Sequence, residues 1–122
     1  MLRGVLDLVR SGGRIVDFKT TGKTPAPSSA GHQHEVQTSS YLVLYRDATG
    51  RKESGVELHH LVKLKQPKLV VTAAPPMTEP QQTRLFKQIE SYANGVQRGD
   101  YVPSPCFTCV GCEFIKECRQ WS

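Results

Sequence analysis

Cysteine is missing from the first 105 residues of this 122-residue chain, and tryptophan occurs once, at Trp121. No apolar run nears the roughly 20 residues that a membrane-spanning helix requires. The lack of widely spaced cysteines excludes a disulfide framework tying remote segments together. The opening MLRGVLDLVR carries Asp7 in its midst and no small-residue cleavage site, which argues against a secretory leader and leaves a cytoplasmic location as the default. Charge of one sign is also scarce. A net charge of +5 is too modest to demand a nucleic-acid partner, and the basic residues are spread out apart from a small concentration at Lys63, Lys65 and Lys68.

What is present fits one soluble globular domain with a single hydrophobic core. Residues 3–9 and 14–19 read as two strands joined by Ser11-Gly12-Gly13, a hairpin loop with glycine where positive φ is needed. Residues 22–34, GKTPAPSSAGHQH, have loop composition. A helix is predicted over 35–47, with Val36, Tyr41 and Leu44 near helical spacing. Strands follow at 56–64 and 69–74, split at Gln66-Pro67. The helix signal is clearest over 78–99, where Thr78 is a candidate N-cap, Pro80 falls in the first turn, and Leu85, Ile89 and Tyr92 form a stripe. The order is mixed α/β, with a central sheet flanked by helices and a cysteine-rich tail.

The first hairpin carries chemistry. Asp17 and Lys19 are two positions apart on one strand and project from one face, while Val16 and Phe18 project from the other. Pairing the strands about Gly12 sets Val9 opposite Ile15, Asp7 opposite Asp17, and Val5 opposite Lys19. Two carboxylates facing each other repel unless a cation lies between them. A couple of carboxylates, completed by water and phosphate, is the ligand set Mg²⁺ prefers. Lys19 would then orient a water or stabilise charge developing on a phosphate. An exposed hairpin with scattered charges is the structural alternative.

These residues resemble a family. GVLDLVRSGGRIVDFKTTGK is similar to the core of the PD-(D/E)XK nucleases, in particular their RecB-like branch, with Asp7 as the first acid and Asp17 and Lys19 as the acid-x-Lys. Leu6 stands where the family name has proline. That branch continues with a helix bearing Gln-x-x-x-Tyr, and Gln37 and Tyr41 stand here in QTSSY, on one helix face. The resemblance implies a restriction-endonuclease-like core over residues 1–103 and metal-assisted phosphodiester hydrolysis in DNA. Asp7 and Asp17, with a backbone carbonyl beside Asp17, would hold Mg²⁺ or Mn²⁺. Lys19 would position water, Gln37 and Tyr41 would support lysine and substrate, and Lys63, Lys65 and Lys68 would meet phosphates.

All four cysteines fall in CFTCVGCEFIKEC, as Cys106, Cys109, Cys112 and Cys118, within a segment spanning 104–122. This C-x2-C-x2-C-x5-C spacing suits zinc or a [4Fe–4S] cluster, and composition does not choose between them. Its latter part is similar to the iron–sulfur staple of RecB-like helicase-nuclease subunits and CRISPR-adaptation nucleases. On that resemblance [4Fe–4S] is preferred to Zn²⁺, and a helicase, recombination or CRISPR partner subunit is implied. Those families also carry an upstream cysteine and an earlier helix with a Glu or His near the metal. Neither precedes the hairpin here, so an N-terminal truncation is expected. Trp121 and Phe107 could shield a cluster or stack on a base, and packing is the expected role. His59 and His60, adjacent on a strand, point to opposite faces and cannot chelate one ion jointly; they and the His32/His34 pair read as ordinary sheet and loop residues. A non-catalytic DNA-binding module with a degenerate core is the alternative function, and a zinc-ribbon protein a third.

Overall fold

A computed structural model describes residues 2–100 and 103–120. Strands β1 (Leu8–Arg10) and β2 (Arg14–Thr21) form the hairpin, helices α1 (Pro27–Gln33) and α2 (Glu35–Thr49) follow, and β3 (Gly55–Val62) and β4 (Lys68–Ala74) complete the sheet. Helix α3 (Glu79–Arg98), a single 3₁₀ turn (Phe107–Cys109) and α4 (Ile115–Gln120) come last. The chain falls into two compact units, Met1–Lys87 and Gln88–Ser122, with the boundary inside α3.

The four strands lie in the order β1-β2-β3-β4. β1 and β2 are antiparallel, β2 and β3 parallel, and β3 and β4 antiparallel. A parallel pair cannot be closed by a tight turn, so the segment between β2 and β3 must cross over, and α1 and α2 supply that crossover. This is the mixed sheet flanked by helices that the sequence pattern predicted.

Hairpin register matches expectation near the turn, where Val9 pairs with Ile15 and Leu8 with Val16, but the ladder stops there and the expected Asp7–Asp17 and Val5–Lys19 pairs do not form. Gly12 and Gly13 make the turn at φ +82° and +76°, and a Cβ on Gly13 would lie 2.6 Å from the Tyr45 hydroxyl. β1 is shorter than the predicted 3–9 strand. The Phe18 amide is taken by the Asp7 carboxylate at 2.9 Å rather than by a β1 carbonyl, and the ladder ends at Leu8.

The loop predicted over 22–34 contains α1. Its proline, Pro27, sits at the start of the helix, where the missing amide is harmless, and Ala30 is buried. In α2 the buried residues are Thr38, Ser39 and Leu42, whereas Val36 is exposed. The expected Val36–Tyr41–Leu44 stripe is therefore not the core face; Tyr41 and Leu44 instead lie against Gly4. The core is built from Ile15, Leu42, Val56 and Met77, with Leu6, Val43, Tyr45 and Ala74 packed around it.

An ion pair with a buried carboxylate closes this core. Glu53, 2% exposed, accepts from Arg46 Nε and Nη2 at 2.6 and 2.7 Å and from the Met77 amide at 2.8 Å. Helix α3 opens with a reciprocal cap: the Gln81 side chain accepts from the Thr78 amide, and the Thr78 hydroxyl accepts from the Gln81 amide. Of its expected stripe only Leu85 is buried, and Tyr92 is exposed.

Candidate active site

Strand alternation sends Ile15, Asp17 and Lys19 to the face of β2 that packs on α2, where Ile15 anchors the core. Asp17 is 2% exposed, and its Oδ2 lies 2.7 Å from Lys19 Nζ. No hydrogen bond of good angle reaches that oxygen from the described residues, so its contact with Lys19 is ionic. Lys19 also donates to Gln37 Oε1 at 2.6 Å, and the Gln37 amide donates to the Tyr41 hydroxyl at 2.8 Å. The 3.6-residue period of α2 puts Gln37 and Tyr41 one turn apart on the same face, which makes this row possible. Asp17, Lys19, Gln37 and Tyr41 are thus joined in one chain of contacts, with Asp7 reaching it through the Phe18 amide.

The donor set is that of a hard cation. A buried carboxylate paired with the Lys19 ammonium and a second, exposed carboxylate just before β1 fit Mg²⁺ or Mn²⁺, which keep several waters of their own. Among the described residues no group of three or more His, Cys, Asp or Glu side chains gathers as a preformed metal cage. This applies equally to the tail.

Cys106 and Cys109 cap one another, each sulfur accepting the other's backbone amide, and Cys106 N lies 3.2 Å from Cys109 Sγ. Cys112 and Cys118 are half-buried, and the four sulfurs do not converge on one centre as placed. Phe107 is 89% exposed, so the packing role expected for it is not met. Trp121 lies outside the described residues.

Lys63, Lys65 and Lys68 are exposed in the β3–β4 turn and at the start of β4. β2 and β3 run parallel, so this turn follows the same strand ends toward which Lys19 lies.

Sequence reasoning missed a histidine pair. His60 stands opposite Lys19 in the β2–β3 register, and the His34 ring lies 5.9 Å from the His60 ring. Burial holds the His34 imidazole below its ordinary pKa, the charges of Lys19 and His60 add to this, and Asp17 opposes it. His59 points the other way, edge-on to Phe18 and 2.8 Å from Glu57. Alternation alone separates His59 from His60, but nothing local joins His60 to His34, 26 residues earlier.

No curated protein matches the sequence. A crystal structure of a provisionally assigned exonuclease from Eubacterium rectale shares the fold, with a TM-score of 0.58 and 18% identity over 94% of this chain and 44% of that one. The chain therefore spans less than half the length of that neighbour. No described helix is long and apolar enough to cross a membrane. A family model of the PD-(D/E)XK nuclease superfamily matches residues 1–119, and the chain, with its acid-x-Lys on β2, belongs to that superfamily.

Proposed function

We propose that the Asp17–Lys19 centre hydrolyses phosphodiester bonds in DNA with the help of Mg²⁺ or Mn²⁺. The observation that carries this is the buried Asp17 carboxylate, its Oδ2 ion-paired with Lys19, a lysine that Gln37 also holds. Lys19 offsets part of the cost of burying that carboxylate, and a divalent ion beside it would offset more. Asp7 and Asp17, with the backbone carbonyl next to Asp17, would hold the ion, which supplies Lewis-acid stabilisation of the phosphate and a more acidic water.

The chain's own residues do the rest. Lys19 presents its ammonium where a water or a phosphate oxygen would sit, and Gln37 and Asp17 restrict its rotamer. Tyr41, through Gln37, fixes that orientation from α2. Exonucleolytic action in repair, recombination or CRISPR adaptation is the finer reading, supported by the description of the structural neighbour as an exonuclease. The RecB-like branch is supported by the Gln37/Tyr41 row and the cysteine spacing.

The cysteine segment is proposed to take up [4Fe–4S], or Zn²⁺, on convergence of sulfurs that are now separate. Anaerobic reconstitution with a broad visible absorption supports the cluster; stoichiometric zinc in a colourless protein opposes it. For the nuclease itself, the test is divalent-ion-dependent DNA cleavage that disappears in Lys19→Ala. A DNA-binding module without catalysis is the second reading, favoured by the absence of a preformed three-donor cage among the described residues. Tight DNA binding with no cleavage in either ion would support it.

A further inference from the structure

Beside the carboxylate–lysine centre stand two imidazoles that make no hydrogen bond from their rings to the described residues. His60 projects from the same sheet face as Lys19, its register partner, and is 4% exposed with Nδ1 enclosed and unbonded. Native proteins rarely leave a buried ring nitrogen without a partner, and the exceptions cluster where a water, ion or substrate belongs.

His34 faces it, with the rings 5.9 Å apart and tilted by 46°. It is the single residue between α1 and α2. Its carbonyl accepts from both the amide and the hydroxyl of Thr38, which pins the backbone, while its side chain makes no capping bond. The backbone at His34 is therefore fixed, and both ring nitrogens stay available.

The surroundings select the ligand. Lys19 and the amino end of α2 place positive charge beside the His34 ring, partly offset by Asp17 and Glu35. The lowered pKa of His34 keeps it neutral near pH 7, with one N–H donor. A neutral donor next to a fixed cation suits an oxygen of a phosphate.

We propose that His34 and His60 form a phosphate subsite on the Lys19 side of the catalytic centre. His34 donates a ring N–H to a non-bridging oxygen of the DNA backbone, and His60 stands behind it as a positioning residue. The proposal rests on the nuclease reading but can fail separately from it.

Oligodeoxynucleotides carrying one uncharged methylphosphonate linkage at successive positions provide the kinetic test. In the wild-type chain, neutralising one linkage should raise KM about tenfold, as expected for one charge-assisted hydrogen bond. His34→Ala should raise KM by a similar factor on unmodified DNA, leave kcat nearly unchanged, and abolish sensitivity at that linkage. A linkage profile unchanged in His34→Ala overturns the subsite. The binding test uses ¹⁵N-labelled histidine and inorganic phosphate, in wild type and in Lys19→Ala. Movement of the His34 and His60 ring signals in both supports the subsite even in a chain that cuts no DNA. Unmoved signals in a chain whose cleavage depends on Lys19 overturn the subsite and leave the nuclease reading standing.

Discussion

Gln37 Oε1 accepts a hydrogen bond from Lys19 Nζ at 2.6 Å, which ties the first turn of α2 to the latter half of β2. The lysine's reach is thereby set by a helix as well as by its own strand. Removing Gln37 frees the ammonium without removing its charge. Gln37→Ala is expected to lower kcat about 10- to 100-fold, the range seen when a supporting partner of a catalytic group is removed, while Tyr41→Phe has a smaller effect in the same direction. Steady-state cleavage kinetics with thermal unfolding as a control would check this; unchanged kcat in Gln37→Ala would show that the tether is structural only.

How much of this was legible in the sequence depends on the distance between the residues concerned. The hairpin register next to the turn followed from Gly12-Gly13 and strand alternation, a local rule. Gln37 and Tyr41 were singled out by the resemblance to the nuclease family, helical spacing adding only that they share a face. α1 was hidden because Pro, Ser, Gly and Ala read as loop; its first-turn proline and single buried alanine leave little periodic signal. The α2 core face was misjudged because Thr38 and Ser39 are buried through tertiary contact, which overrides their polarity. The parallel β2–β3 pairing, and with it the meeting of His34 and His60, is non-local and left no trace in any short window.

Glu53 gives a pH prediction. Burial raises its pKa, but the Arg46 guanidinium and the Met77 amide outweigh this and hold it below the ordinary glutamate value. A group with a depressed folded-state pKa stabilises the fold above the unfolded value, about 4.3, and that contribution is lost as pH falls through the folded value. Urea midpoints should therefore decline below about pH 4.3, and Glu53→Gln should flatten part of that decline. At neutral pH, Glu53→Ala removes the acceptor of the Met77 amide and of a part-exposed Arg46 and is expected to cost about 1–3 kcal/mol. A cost under about 1 kcal/mol would contradict the role given to this pair.

Gly55 sits at φ +130°, and a Cβ there would lie 2.6 Å from the Ala74 carbonyl oxygen. Both the conformation and the contact oppose any side chain at the start of β3. Gly55→Ala should destabilise the fold by roughly 1–3 kcal/mol, read as a lower denaturation midpoint, whereas Gly50→Ala, with nothing near its Cβ, should cost less.

The exposed lysines of the β3–β4 turn carry a salt prediction. If Lys63, Lys65 and Lys68 each meet a phosphate, replacing one by Ala should weaken DNA binding independently of base sequence. It should also reduce the slope of log K against log salt by about 0.9 for each phosphate no longer neutralised on duplex DNA. An unchanged slope in the triple variant would remove this turn from the interface.

The most direct test of the nuclease centre is cleavage of a labelled DNA by the wild-type chain, Asp17→Asn and Lys19→Ala, each in Mg²⁺, in Mn²⁺ and with chelator. The expected result is cleavage by the wild type in at least one ion, none with chelator, and a loss of about 10²–10³ in kcat in each variant. Equal activity of all three proteins, or no cleavage by the wild type in either ion, would contradict it.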